Sequence, residues 1–242
     1  AVKVDKIWYQ FPIGDRQTVW VGPKIENYYM HATTPSLYSP TLKQFALGGN
    51  AAAYGASTNS GVGYAYKFDN GLAISSNIVS KQNKSSTANG TTGFLTEESA
   101  HSWATQVGYT QDQYAVSVML NQKYNGWTDG YFSTQTGESR PTLSGIKSDS
   151  SSIGLRAWLR PEESGSAIPS ISVGYDTTSI QLAADTVDST NMWFAGLSWA
   201  DMFQADDKIG VAFGQPQKRE DETTDPFAWE AYYAFKANDN TE

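Results

Sequence analysis

Apolar residues in this chain recur at every second position, in runs of about nine or ten residues that turn signals bracket. The clearest run sets Val62, Tyr64, Tyr66 and Phe68 against Gly63, Ala65 and Lys67. Asp69-Asn70-Gly71 follows, a hairpin signal because Asn and Gly accept positive φ. Leu72, Ile74 and Ile78 then run back. A second hairpin sets Trp103, Thr105, Val107 and Tyr109 against Tyr114, Val116, Val118 and Leu120. Period two excludes an α-helical architecture. Eleven strands are expected, near 2–11, 18–26, 60–69, 71–80, 101–110, 113–121, 151–160, 168–176, 191–200, 208–215 and 227–237. The one conceivable helix, Thr41 to Ala53, is shortened by Gly48-Gly49-Asn50.

Strand length and loop length narrow the class. Soluble strands average about five or six residues, whereas a tilted strand crossing a bilayer needs about 9–11. With those boundaries the connections alternate short and long: 12–17, 27–59, Asn70 alone, 81–100, 111–112, 122–150, 161–167, 177–190, 201–207 and 216–226. An outer-membrane barrel has tight turns at its periplasmic end and long loops outside. The expected fold is therefore all-β, a transmembrane antiparallel β-barrel.

The faces agree with that reading. On 151–160 the lipid-facing set is Ile153, Leu155, Ala157 and Leu159, which turns Arg156, Trp158 and Arg160 inward. On 227–237 Phe227, Trp229, Ala231, Tyr233 and Phe235 face out, while Glu230, Tyr232 and Lys236 face in. An ionised group at the lipid-facing midplane costs roughly 2–4 kcal/mol, and each of these charges falls on the inward phase. Tyr9, Phe11, Phe68, Tyr109, Tyr114, Trp199 and Phe235 lie near one end of the strands, and Tyr28, Tyr29, Tyr124, Trp193, Phe227 and Trp229 near the other. That distribution predicts two aromatic girdles.

Composition removes other classes. Charged residues are 17% and aromatic ones 13%, with a formal charge of −8. An acidic chain with 17 basic residues does not read as a nucleic-acid binder. Without cysteine there is no disulfide, thiolate metal site or Cys nucleophile. No apolar run is long enough for a spanning helix. The chain opens on Ala1-Val2-Lys3-Val4 and is expected to be mature or cropped. The two histidines, His31 and His101, make no nucleophile–base pair by sequence, because His101 and Ser102 point to opposite faces of a strand. The acid pairs Glu97-Glu98, Glu162-Glu163 and Asp206-Asp207, like the run Glu220-Asp221-Glu222, fall in connections and read as solvated turns. No enzyme activity, cofactor or metal is expected.

Particular segments also resemble a known family. Lys6-Ile7-Trp8-Tyr9-Gln10-Phe11-Pro12-Ile13-Gly14-Asp15 with Val19-Trp20-Val21-Gly22-Pro23, then Pro35 through Phe68 with its Gly61-Val62-Gly63-Tyr64-Ala65-Tyr66-Lys67-Phe68-Asp69, are similar to the carbohydrate-selective (OprB-type) porins of cyanobacteria. So are Ile209-Gly210-Val211-Ala212-Phe213-Gly214-Gln215-Pro216 and Glu230-Ala231-Tyr232-Tyr233-Ala234-Phe235-Lys236-Ala237-Asn238-Asp239-Asn240. The likeness covers most of the chain outside 81–100, 122–150 and 177–190, and its segments are strand and turn patterns rather than catalytic signatures. It implies a sixteen-stranded porin of the cyanobacterial outer membrane, homotrimeric, joined to peptidoglycan or another wall polymer by an N-terminal domain outside 1–242. Residues 1–242 are then expected to be part of one barrel domain, with three strands before and two after.

The resemblance implies a diffusion channel for ions and small hydrophilic solutes, sugars among them; from the charge, no nucleic-acid partner is expected. Segment 27–59 is the longest connection, and in porins of this size a long loop folds inward. Tyr38, Lys43, Phe45 and Tyr54 are its candidate constriction residues; an ordinary extracellular loop or a latch between trimer subunits is the alternative. Arg156 and Arg160 are candidates for a basic ladder on the pore wall, with Lys24, Lys67 and Lys236, opposed by Glu26 and Glu230. Alternatively the two arginines satisfy acidic neighbours in the wall. Two rivals of other classes stand beside the porin: a secreted β-sandwich carbohydrate-binding module, and a structural tether between outer membrane and wall.

Overall fold

The computed structural model describes residues 3–49, 53–55, 58–82, 94–96, 99–124, 148–182, 189–220 and 222–236. Within them eleven strands form one antiparallel sheet in chain order: β1 Ile7–Ile13, β2 Gln17–Ile25, β3 Asn59–Lys67, β4 Leu72–Gln82, β5 Ser99–Thr110, β6 Tyr114–Tyr124, β7 Ser148–Leu159, β8 Ser170–Leu182, β9 Ser189–Ala200, β10 Lys208–Arg219 and β11 Ala228–Ala234. β1 and β11 have no further strand partner among the described residues, so the sheet is open. No helix of the described residues is long and apolar enough to cross a membrane.

Each expected strand has its counterpart, but the loop pattern is less regular than expected. β8 runs 13 residues and β9 12, because Thr177, Thr178 and Ile180 extend the ladder beyond the expected loop boundary. Their connection therefore shrinks to 183–188, shorter than the 160–169 that precedes it, and strict alternation fails there. The cause is β-propensity: branched side chains continue the pleat where only turn chemistry was sought. Pro216 sits inside β10, which its missing N–H tolerates because the pairing with β9 shifts register between Gln215 and Lys218. Among the described residues of 41–53 there is no α-helix: Lys43–Gly48 is a kinked 3-10 segment, with Leu47 at φ 56.

The pleat separates two faces cleanly. Val107, Val116, Val118, Leu155 and Val173 are each more than two-fifths exposed on one face, and on the other Ala104, Ala115, Met119, Arg156 and Ser172 are buried. The outer row Tyr109, Val116, Ala157, Val173, Ala195, Phe213, Trp229 is continuous across seven strands. It begins one residue from the short-turn end of β5 and finishes one residue inside the opposite end of β11. At strand spacings of about 4.8 Å and rises of about 3.4 Å, the row climbs roughly 14 Å over roughly 29 Å, so the strands lean by about 25–30°.

Candidate functional site

The inner face owes its shape to the connection between β2 and β3, here called the strap, described at residues 26–49, 53–55 and 58. From Asn27 it crosses the sheet to β11, turns, and returns by way of β7 to β5. Inner-phase side chains hold its backbone along the way. Asn77 on β4 accepts from Asn27 Nδ2 at 2.8 Å and donates to the Met30 carbonyl at 3.2 Å. Gln106 on β5 pairs with Thr33 as a neighbouring strand would, accepting from its N–H and donating to its carbonyl, both at 2.9 Å. Trp158 on β7 donates to the Thr34 carbonyl, and Ser172 on β8 accepts from Leu37 N–H. At the far end Glu230 on β11 accepts from Thr41 N, Thr41 Oγ1 and Leu42 N at 3.2, 2.6 and 2.6 Å.

The return is fixed by Arg156. Its Nε donates to the Leu47 carbonyl at 2.8 Å, its Nη1 is paired with Asp176, and its guanidinium lies 4.8 Å from the Tyr54 ring centroid. Gly48-Gly49, both at positive φ, let the chain reverse against β8 and β9. A Cβ on Gly174 would overlap the Gly48 carbonyl, so glycine is what lets strap and wall touch there. Beneath the strap Tyr38, Phe45, Met192, Phe194 and Ala212 form one buried cluster, and Ala53, Tyr54, Ala104 and Met119 another.

These placements correct several expectations. Tyr38, Phe45 and Tyr54 are 4%, 1% and 1% exposed: their rings pack down on the sheet and do not line a solute path, because burying an aromatic contributes more than exposing it to water. Lys43 remains exposed on the strap. Arg156 is on the predicted face but sealed, and it satisfies an acidic wall neighbour, Asp176. Glu230 and Glu26 are likewise buried; Glu26 accepts from Thr58 Oγ1 at 2.7 Å and pairs with Lys6 at 3.4 Å. Lys24 misses the inner face, since the register shift between Gly22 and Ile25 turns Ile25 inward and leaves Lys24 exposed, donating to the Val4 carbonyl. Lys67, Arg160 and Lys236 are exposed near the short-turn end, so Arg156 and Arg160 do not form an accessible ladder.

Sequence reasoning missed the polar rail itself: Ser75, Asn77, Gln106, Asn121, Ser172 and Asp176. Their common inner phase was visible, but a water-filled lumen asks for the same residue types. Burial also tunes the strap's own groups. The His31 imidazole is held down at about 3 by desolvation, and burial pushes the Tyr38 and Tyr54 phenols up. Among the described residues no group of three His, Asp or Glu could hold a metal ion. Glu97, Glu98 and Asp221 lie outside the described residues. No protein-family model matches the chain, and no curated protein matches it.

Proposed function

We propose that this chain forms part of the wall of an outer-membrane β-barrel porin, akin to the carbohydrate-selective porins of cyanobacteria, through which ions and small hydrophilic solutes diffuse passively. The observation that carries this reading is the outer face. Soluble monomers rarely expose apolar patches beyond a few hundred Å², whereas here Val62, Ile74, Val107, Val118, Leu155 and Val173 continue one exposed surface across six strands. Three polar side chains on it satisfy one another, as hydrocarbon favours. Trp103 Nε1 donates to Ser76 Oγ at 2.9 Å, and Ser76 Oγ lies 2.9 Å from Thr105 Oγ1. Aromatic pairs gather near the short-turn end: Tyr66–Phe68, Tyr109–Tyr114 and Tyr233–Phe235, with ring centroids 4.7, 6.1 and 5.6 Å apart.

Direction and lean fit a closed wall. With eleven antiparallel strands β1 and β11 run the same way and cannot pair antiparallel. Closure takes an odd number of further strands, and so gives the even total of bacterial barrels. The lean approaches the roughly 35–45° of such barrels. In this reading the sequence alternatives resolve toward an inward loop that narrows the lumen, and the membrane is the cyanobacterial outer membrane, with homotrimer and wall polymer as partners. The test is single-channel recording of the full-length protein in a planar bilayer. Discrete steps are the expected result; a folded protein that stays in water without detergent and gives no steps would mean a soluble binding module instead.

A further inference from the structure

Among the described residues the inner wall's carboxylates are all covered, together with the basic Arg156 and Lys123, while other basic groups stay in solvent. Three carboxylates belong to that wall or to its junction with the strap, and all are covered: Asp176 is 2% exposed, Glu230 6% and Glu26 7%, each engaged as described above. The exposed charges on the inner phase are basic. Lys67 closes β3 opposite Ala73, Lys208 opens β10 between Ala200 and Ala234, and the Arg160 guanidinium lies 5.8 Å from the Trp158 ring centroid at the end of β7. Lys236 follows β11, 3.9 Å from Asp206. Among the described residues no carboxylate pairs with Lys67, Arg160 or Lys208; the Arg160 Nε donates to the Asp112 backbone carbonyl. The acids of this end sit in the turns beyond the strands. Asp69 is paired with Arg16, and Asp112, Glu162, Glu163 and Asp201 project from connections rather than from the inner phase.

We infer that the aqueous path is selective for small anions, and that Lys67, Arg160 and Lys208 at its short-turn end determine that selectivity. The inference rests on the porin reading and names its solute class. A low-dielectric wall lined by one sign of charge concentrates counter-ions in the path. The strap is what makes the sign positive, because it removes the wall's carboxylates from contact with solvent while Lys67, Arg160 and Lys208 stay in it. The chain's net negative charge does not decide the matter, since within a Debye length of about 10 Å the nearest charges dominate.

The experiment is the reversal potential of the full-length protein in a planar bilayer under a KCl gradient, beside a variant carrying Lys67→Glu, Arg160→Glu and Lys208→Glu. The expected result is a chloride-to-potassium permeability ratio above one that inverts to below one in the variant, with the difference shrinking as salt rises. Single substitutions move the ratio part of the way and cover the case in which the triple variant fails to fold. Conducting steps with a cation preference, or an anion preference indifferent to these substitutions, overturn the inference and leave the pore. Absence of steps from folded protein overturns the pore reading and the inference with it.

Discussion

Removing Glu230 should free the far end of the strap while leaving the sheet intact. Its carboxylate takes two backbone N–H bonds and one hydroxyl bond from Thr41 and Leu42, and it is 6% exposed. Hydrogen bonds to a charged group contribute roughly 1.5–3 kcal/mol each. Thr41 and Leu42 are themselves exposed, so their released N–H groups find water and the lower figure applies. Two such bonds give about 3 kcal/mol for Glu230→Ala, and at 1.36 kcal/mol per decade the amides of Thr41 and Leu42 should exchange about a hundredfold faster. Glu230→Gln keeps an acceptor oxygen and loses the charge, which predicts about tenfold. Amide hydrogen exchange with residue resolution reads both, and Val211 and Ala231 in the β10–β11 ladder should exchange as in the parent protein. Unchanged protection at Thr41 and Leu42 would refute the reasoning. The strap would then be held by Tyr38, whose ring packs 5.6 Å from Phe194 and 6.0 Å from Tyr232.

Three other perturbations probe separate links. Leu155→Arg places a charge at the centre of the exposed apolar face. In lipid it should cost roughly 2–4 kcal/mol in a bilayer unfolding titration, whereas a water-exposed site would change by less than about 0.5 kcal/mol. Gly174→Ala forces the Gly48 carbonyl away from β8 and should cost about 1–3 kcal/mol in the same titration, an overpacking cost despite the small side chain. His31, held at about 3 by burial, stays neutral where an unfolded histidine titrates near 6.5. Between those values the unfolded chain binds the extra proton, so stability should be flat above about pH 6.5 and fall as pH drops toward 3. His31→Gln should remove that part of the slope, measured as the denaturation midpoint at neutral and mildly acidic pH.

Most of the sheet was legible because its information is local. A period-two run shows which residues share a face, and Asn70-Gly71 or the Thr110–Gln113 stretch shows where the chain reverses. Phase errors arose where one residue breaks the count. The irregularity before Ile25 moved Lys24 off the inner face, and Gly22-Pro23 is the signal that marks it, as Pro216 marks the shift in β10. Loop boundaries failed at Thr177–Leu182 for the opposite reason: β-branched residues continued a strand into a stretch that resembled a loop.

The strap's path was not legible, because its partners are far away in sequence. Gln106 meets Thr33 across 73 residues, and Glu230 meets Leu42 across 188. Seen from sequence, an inward Asn, Gln, Ser or Glu satisfies water and a strap equally well. The distinction is made by what covers it. Arg156 and Arg160 show this most plainly: four residues apart on one phase, they read as equivalent wall charges. One is enclosed with Asp176 beneath Tyr54, and the other lies in the open beside Trp158. A charge on the inner phase therefore acts on passing solutes only where the strap leaves it uncovered. In the proposed pore, selectivity follows from the course of the strap's described residues as much as from the residues of the strands.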